Sequence, residues 1–278
     1  MTQATVWENL TIRNNYLFLK VMRNERICKK MIEKILNITI EKITYPEEEK
    51  EIDIRLDSKS IRLDVYVRDE KGTVFNIEMQ ATDSQENLQK RTRYYQGLID
   101  IDLIDKGAAY DELNPTYIIF ICTFDPFGSN RNMYTFRNVC IEDSTLELND
   151  EATKIFLNSK GDSGDVSPDI KAFLQYVEGV LTENTFVQEI NSEVAHVKNN
   201  KEWRREFMTF EMELKRMEQK GIKQGIEQGI EQGIEQGTVE KARCMALKML
   251  QDNCPVEMIA KYTELSEDEI KRLAEALV

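Results

Sequence analysis

Histidine is almost missing from these 278 residues: there is one, His196, set in a polar helical stretch. Nothing around it has metal-ligand spacing, so multi-histidine metal sites are excluded and His196 is expected at the surface. The five cysteines (Cys28, Cys122, Cys140, Cys244 and Cys254) are scattered without a Cys-x-x-Cys pair. Neither a zinc site nor a disulfide framework is indicated. No Gly-x-Ser-x-Gly elbow, Walker loop or dinucleotide fingerprint occurs, which leaves serine-hydrolase, P-loop and Rossmann chemistry without support. The longest apolar run, Tyr117–Phe124, is interrupted by Cys122 and Thr123 and is far too short to span a bilayer. Met1–Leu10 carries Glu8 and lacks a basic, apolar signal segment, so a soluble, cytoplasmic protein without a membrane partner is expected. Positive charge is also short: 37 Lys and Arg stand against 50 Asp and Glu, a net charge of −13. Coating nucleic acid by bulk electrostatics is thereby excluded, whereas a local basic groove is not.

What is present begins with 41% hydrophobic residues, enough to bury a core in one main domain with an appendage. The most informative stretch is a hairpin. Ile61, Leu63, Val65 and Val67 alternate with Arg62, Asp64, Tyr66 and Arg68; Phe75, Ile77 and Met79 alternate with Val74, Asn76, Glu78 and Gln80. Such period-two patterns predict half-buried strands. Gly72 suits the left-handed third position of a three-residue loop, Glu70–Gly72, which pairs 69 with 73 and therefore 64 with 78. Asp64 and Glu78 then share a face with Cβ atoms roughly 5 Å apart, where like charges repel. Two readings of that face stand: a solvated surface with two acids and a nearby arginine, or a divalent cation bound through carboxylate oxygens.

Around the hairpin, Tyr16–Leu36 reads as a helix, and Ile52, Ile54 and Leu56 as a strand leading into the hairpin. Gln85–Lys106 reads as a second helix, and Tyr117–Phe124 as a strand buried on both faces. The order helix, three strands, helix, strand predicts an α/β fold, a mixed sheet flanked by helices. Tyr134–Ile141 and Lys154–Leu157 are expected as further strands, and the Gly-, Ser- and Asp-rich loop Asn158–Pro168 as the end of the core domain. Basic residues cluster at Lys90, Arg91 and Arg93 and at Arg23, Arg26, Lys29, Lys30 and Lys34; solvated helix faces are the ordinary origin of such clusters.

Helices are expected over Asp169–Glu183 and from Phe186 to about Lys220, an extension at 169–220. Residues 221–237 repeat Gly-Ile-x-Gln, with glycines at 221, 225, 229, 233 and 237. Each glycine costs a helix about 1 kcal/mol relative to alanine, and a four-residue period drifts about 40° per repeat. Two readings fit: a helix packed closely on another chain, its isoleucines forming an apolar stripe, or a flexible linker. The stripe favours the first and thus a homo-oligomer. The remainder, 238–278, is expected as three short helices, with Pro255 at a first helical position and a capping box from Ser266 to Glu269. A helix-turn-helix is suggested, but the second helix begins Glu267-Asp268-Glu269. Acidic residues facing phosphates are repulsive, so a protein-interacting module is expected.

The segment Arg62-Leu63-Asp64-Val65-Tyr66-Val67 with Asn76-Ile77-Glu78-Met79-Gln80 resembles the PD-(D/E)XK nuclease superfamily, and within it the recombination-promoting nuclease (Rpn) and transposase-like branch. Arg93-Tyr94-Tyr95, Phe124-Asp125-Pro126-Phe127-Gly128 and the Gly-Ile-x-Gln tail support the likeness, which covers roughly residues 10–160. It implies a restriction-endonuclease-like α-β-β-β-α-β core and a metal-dependent DNA endonuclease that uses Mg²⁺, with Mn²⁺ as a substitute. The biology implied is recombination, mobile elements or defence. Asp64 and Glu78 match the metal-binding carboxylates, and the Met79 carbonyl completes the shell. Gln80 stands where the motif usually has lysine, and Leu63 replaces the motif's proline. Glutamine hydrogen-bonds but brings no charge, so Lys90 or Arg93 is expected to supply the cation, unless each faces solvent or phosphate. Glu33 is a further candidate ligand or base, and Arg91 and Arg93 are candidate phosphate contacts. An RNase H-like transposase spreads its acids over a much longer span, so strand transfer has no support. The missing lysine and the acidic charge leave an alternative: a catalytically degenerate nuclease fold acting as a DNA-binding or oligomeric interaction protein.

Overall fold

A computed structural model describes residues 3–45, 51–52, 61–82 and 87–276; for 3–5, 51–52, 61–62 and 235 the description is of the backbone alone. Two compact units emerge, Met1–Met208 and Thr209–Val278.

The first unit opens with three helices, α1 (Gln3–Glu8), α2 (Asn15–Met22) and α3 (Glu25–Leu36). The single helix expected over Tyr16–Leu36 is thus two. Asn24 breaks it: its backbone is extended and its Oδ1 accepts from the Ile27 amide at 3.3 Å, an N-cap that starts a new helix. Strands β1 (Ile43–Thr44), β2 (Glu51–Ile52), β3 (Ile61–Arg62), β4 (Val65–Asp69) and β5 (Val74–Gln80) follow, then α4 (Leu88–Leu103) and strands β6 (Thr116–Cys122), β7 (Met133–Phe136) and β8 (Ala152–Asn158). The main sheet has six strands in the order β1-β4-β5-β6-β8-β7. β5, β6 and β8 run parallel and the outer pairings are antiparallel, which makes the sheet mixed as expected. The crossover from β5 to parallel β6 carries α4.

The third strand before α4 differs from expectation. The strand that pairs with β4 is β1, at Ile43–Thr44, whereas Ile52 and Ile61 pair in a separate two-stranded ribbon, β2-β3. Ile54, Leu56 and Gln85 lie outside the described residues. Two other elements are shorter than the sequence suggests: β7 ends at Phe136, and α4 spans Leu88–Leu103.

Both faces of the sheet are covered. Val65, Val67, Phe75, Ile77, Met79, Ile119, Ile121, Ile155 and Leu157 form one core with α1–α3 and with two later helices, α5 (Pro168–Val177) and α6 (Thr185–Asn199). On the other face Leu63, Tyr66, Val74, Ile118, Phe120, Cys122 and Phe156 pack with Leu88, Tyr95, Leu98 and Ile99 of α4. Helices that the sequence places in an extension, α5 and α6, therefore bury their apolar sides in the main core, where Phe173, Val187 and Ile190 are fully buried. Strand β5 is buried on both sides, not half-buried as its alternation suggests.

α7 (Lys201–Gln251) begins in this core through Trp203, Phe207 and Met208. The Gly-Ile-x-Gln repeat lies within it and is helical throughout. In the second unit Ala246 packs with Ile259 of α8 (Val256–Thr263) and Ile270 of α9 (Glu267–Glu275). Pro255 stands one place before the first helical residue, as the cap of α8, and the Ser266 hydroxyl caps α9 by accepting from the Glu269 amide. His196 is exposed, as expected, with Nδ1 3.1 Å from the Glu193 carboxylate.

A buried carboxylate pair at the hairpin

The loop Glu70–Gly72 sets the register of the site. The Asp69 carboxylate accepts from the amides of Lys71 (2.9 Å) and Thr73 (2.8 Å), the Asp69 amide donates to the Thr73 carbonyl at 3.1 Å, and Gly72 is left-handed at φ +85°. That φ needs a residue without Cβ strain. Pairing then runs Arg68 with Val74 through Val65 with Ile77, the register that carries Asp64 to Glu78. Direct bonds tie the two together: the Asp64 amide donates to Glu78 Oε1 and the Met79 amide donates to Asp64 Oδ2, each at 3.2 Å.

The regular alternation expected over Ile61–Val67 is broken just before the site. β3 ends at Arg62, β4 starts at Val65, and Leu63 packs on the α4 side with Tyr66 instead of with Val65 and Val67. One residue out of register flips a side chain to the other face, which is how Leu63 moves while Asp64 stays beside Glu78.

Glu78 is 2% exposed and Asn76, two residues before it on the same face, is fully buried. Burial first, then the charge of Asp64, pushes the Glu78 carboxyl up to about 8, although the Arg91 guanidinium pulls the other way. The Asn76 amide also draws the carboxylate down, yet neither its Oδ1 nor its Nδ2 has a hydrogen bond of good geometry. A solvated strand face is therefore ruled out for Glu78.

The cation at this site comes from an unexpected position. Lys90 and Arg93 are exposed. Arg91 instead reaches in: Nη2 donates to Glu78 Oε2 and Nη1 to Gln80 Oε1, both at 3.1 Å, while Nε donates to the Tyr95 hydroxyl at 2.8 Å. The amide nitrogen of Gln80 donates to the Thr82 carbonyl at 2.8 Å. A sequence signal for Arg91 existed. At about 100° per residue, position 91 falls on the stripe formed by Leu88, Thr92, Tyr95 and Ile99, whereas 90 and 93 fall roughly opposite it. That stripe is the buried side of α4.

Glu33 does not join the pair. Its carboxylate accepts from the Ile40 amide at 2.9 Å, closing the turn after α3, and α3 packs on the other face of the sheet. Asp125, in the Phe124–Gly128 segment, also serves a turn, accepting from Phe127, Asn130 and the Tyr134 hydroxyl.

The donor set fits a hard divalent cation. Two carboxylates side by side, one buried and raised by its neighbour's charge, are relieved by an oxygen-seeking ion that keeps several waters of its own. Asn76, fully buried on the same strand face as Glu78 and without a hydrogen bond of good geometry, is a further polar group at this site. Among the described residues no third acid, histidine or cysteine joins them. Mg²⁺ tolerates such a sparse protein shell better than Zn²⁺ does.

No curated protein and no solved structure matches the chain. A family model described as PD-(D/E)XK nuclease family transposase matches residues 13–165, more than half of the chain, a span that contains the hairpin, α4 and all six strands of the main sheet. With a mixed sheet flanked by helices and an acid pair at its hairpin, the chain belongs to the PD-(D/E)XK nuclease family.

Proposed function

We propose that the protein is a metal-dependent DNA endonuclease that hydrolyses phosphodiester bonds and so promotes recombination, or acts in mobile-element or defence biology, in the cytoplasm. One observation carries the reading: Asp64 and Glu78 oppose each other across the hairpin, the Asp64 amide donating to the Glu78 carboxylate and the Met79 amide to the Asp64 carboxylate, with Glu78 buried. Asp64, Glu78 and the Met79 carbonyl would hold Mg²⁺, or Mn²⁺ in its place. When bound, the ion supplies Lewis-acid polarisation of the phosphate and a water acidic enough to attack at neutral pH. Gln80, held between Arg91 and Thr82, orients that water by hydrogen bonding. Lys90 and Arg93, exposed on the outer side of α4, contact phosphates, which position DNA without reading sequence. The tail brings copies together through its isoleucine stripe, and the 238–278 helices serve protein contacts.

The test is nicking of supercoiled plasmid by the purified protein with Mg²⁺, Mn²⁺ or EDTA. Cleavage that needs metal and falls at least about 100-fold in both Asp64→Ala and Glu78→Ala is the expected result. Activity that survives both substitutions would place the chemistry elsewhere.

A second reading, a catalytically degenerate DNA-binding module, is favoured by a specific feature: both Glu78 oxygens are already engaged inside the protein, by the Asp64 amide and by Arg91. Metal-free DNA binding without cleavage under any metal would select it.

A further inference from the structure

Arg91 is built into the fold differently from the basic residues around it. Its side chain is 25% exposed, and its guanidinium carbon lies 5.1 Å from the centroid of the Tyr95 ring and 5.4 Å from that of Phe120. Phe120 is fully buried in the middle of β6 and stacks on Phe156 at 5.6 Å, so the guanidinium rests on the rigid core. All three guanidinium nitrogens donate, to Glu78, Gln80 and Tyr95. A planar fork spans two acceptors at a fixed spacing; the ammonium of a lysine is a single mobile point. An arginine that served DNA backbone contacts would reach outward, as Lys90 and Arg93 do. Arg91 is turned inward and locked.

We infer that Arg91 is a positioning residue of the metal site: it fixes the rotamers of Glu78 and Gln80, and brings from α4 the cation that the motif's lysine brings from the strand. Tyr95, one turn further on, holds Arg91 in turn. The inference rests on the nuclease reading. Partners that orient a metal-bound carboxylate act on affinity as well as on rate, typically by 10- to 100-fold. A residue that only contacts phosphate acts on DNA binding and its salt dependence.

The experiment compares the full-length protein with Arg91→Met, Arg91→Lys and Tyr95→Phe. Mn²⁺ binding is titrated calorimetrically with Asp64→Ala as the blank, and plasmid nicking is resolved into kcat and KM. Arg91→Met is expected to weaken Mn²⁺ binding by about tenfold or more and to lower kcat, with KM for DNA and its salt dependence unchanged. Arg91→Lys recovers part of the loss. Tyr95→Phe, which removes a single oxygen and so keeps the fold, falls between wild type and Arg91→Met. Mn²⁺ binding by Arg91→Met that equals or exceeds wild type would make Arg91 a mere counter-ion and overturn the inference. So would a raised KM with kcat intact. Those outcomes leave the nuclease reading standing, whereas a wild-type protein that neither binds Mn²⁺ nor nicks DNA defeats that reading and this one with it.

Discussion

Glu78 ionises at a cost that its partners offset only in part. Its carboxyl, ordinarily near 4.5, is raised to about 8 by burial and by the negative charge of Asp64, in spite of Arg91. A folded-state pKa above the unfolded value means that the native protein holds a proton the unfolded chain releases. The stabilisation is therefore complete below pH 4.5 and is lost as pH rises through about 8. Metal-free protein should melt at progressively lower temperature between those limits, and Glu78→Gln should flatten that slope; a Glu78→Gln melt as steep in pH as wild type would show that another group carries it. Excess Mg²⁺ should raise the wild-type melting temperature most at the alkaline end, where the carboxylate is charged, and leave Glu78→Gln little changed. The pairing of 64 with 78 was legible because Gly72 set the loop. The burial of Glu78 was not, since alternation places a residue on a face without saying what covers that face. The choice of Arg91 over its neighbours was legible in principle from the helical stripe, and needed the sheet beneath to be decided.

At the scale of single elements, α7 poses the clearest question. Its glycines at 221, 225, 229, 233 and 237 are helical, and a Cβ at any of them meets nothing within 4 Å in this chain. Ile222, Ile226, Ile230 and Ile234 are 57–66% exposed. Alanine should therefore stabilise an isolated helix by about 1 kcal/mol per site. If the stripe packs on a second copy, the same methyl groups fill the groove between helices. The double substitution Gly225→Ala and Gly229→Ala is expected to raise helicity while lowering the mass measured by sedimentation; unchanged mass would mean that the repeat does not carry association. Around a helix Lys223, Glu227 and Glu231, which follow Ile222, Ile226 and Ile230, lie opposite the glycines, so a glycine-centred contact keeps those charges in water. Elements with strong end signals were readable at this scale, such as α9 with its Ser266 cap. The Tyr16–Leu36 helix misled because its apolar spacing continues past Asn24, where capping chemistry overrides periodicity.

For the whole molecule, the sheet and both its helical layers close within Met1–Met208, which also contains Asp64, Glu78, Gln80, Arg91 and Tyr95. A chain ended after Leu214 should therefore keep the melting transition and the Mn²⁺ affinity of the full protein, while losing any association that the repeat mediates. Loss of the fold on that truncation would show that the core needs residues beyond α7's first turns. Within the core, Phe120→Ala should cost about 3–5 kcal/mol and also free Arg91 from its platform, so metal affinity should fall with stability. The α/β class, the hairpin, its register and the two acids were legible along the chain, because those depend on local alternation and on one glycine in one loop. Tertiary structure was needed to bury Glu78 and to set the buried stripe of α4, with Arg91 at its edge, against it. It also turned Glu33 to the far side of the sheet and brought α5 and α6 into the core. Each of those outcomes depends on which face of the sheet a helix covers, and that is settled by packing between segments distant in the chain.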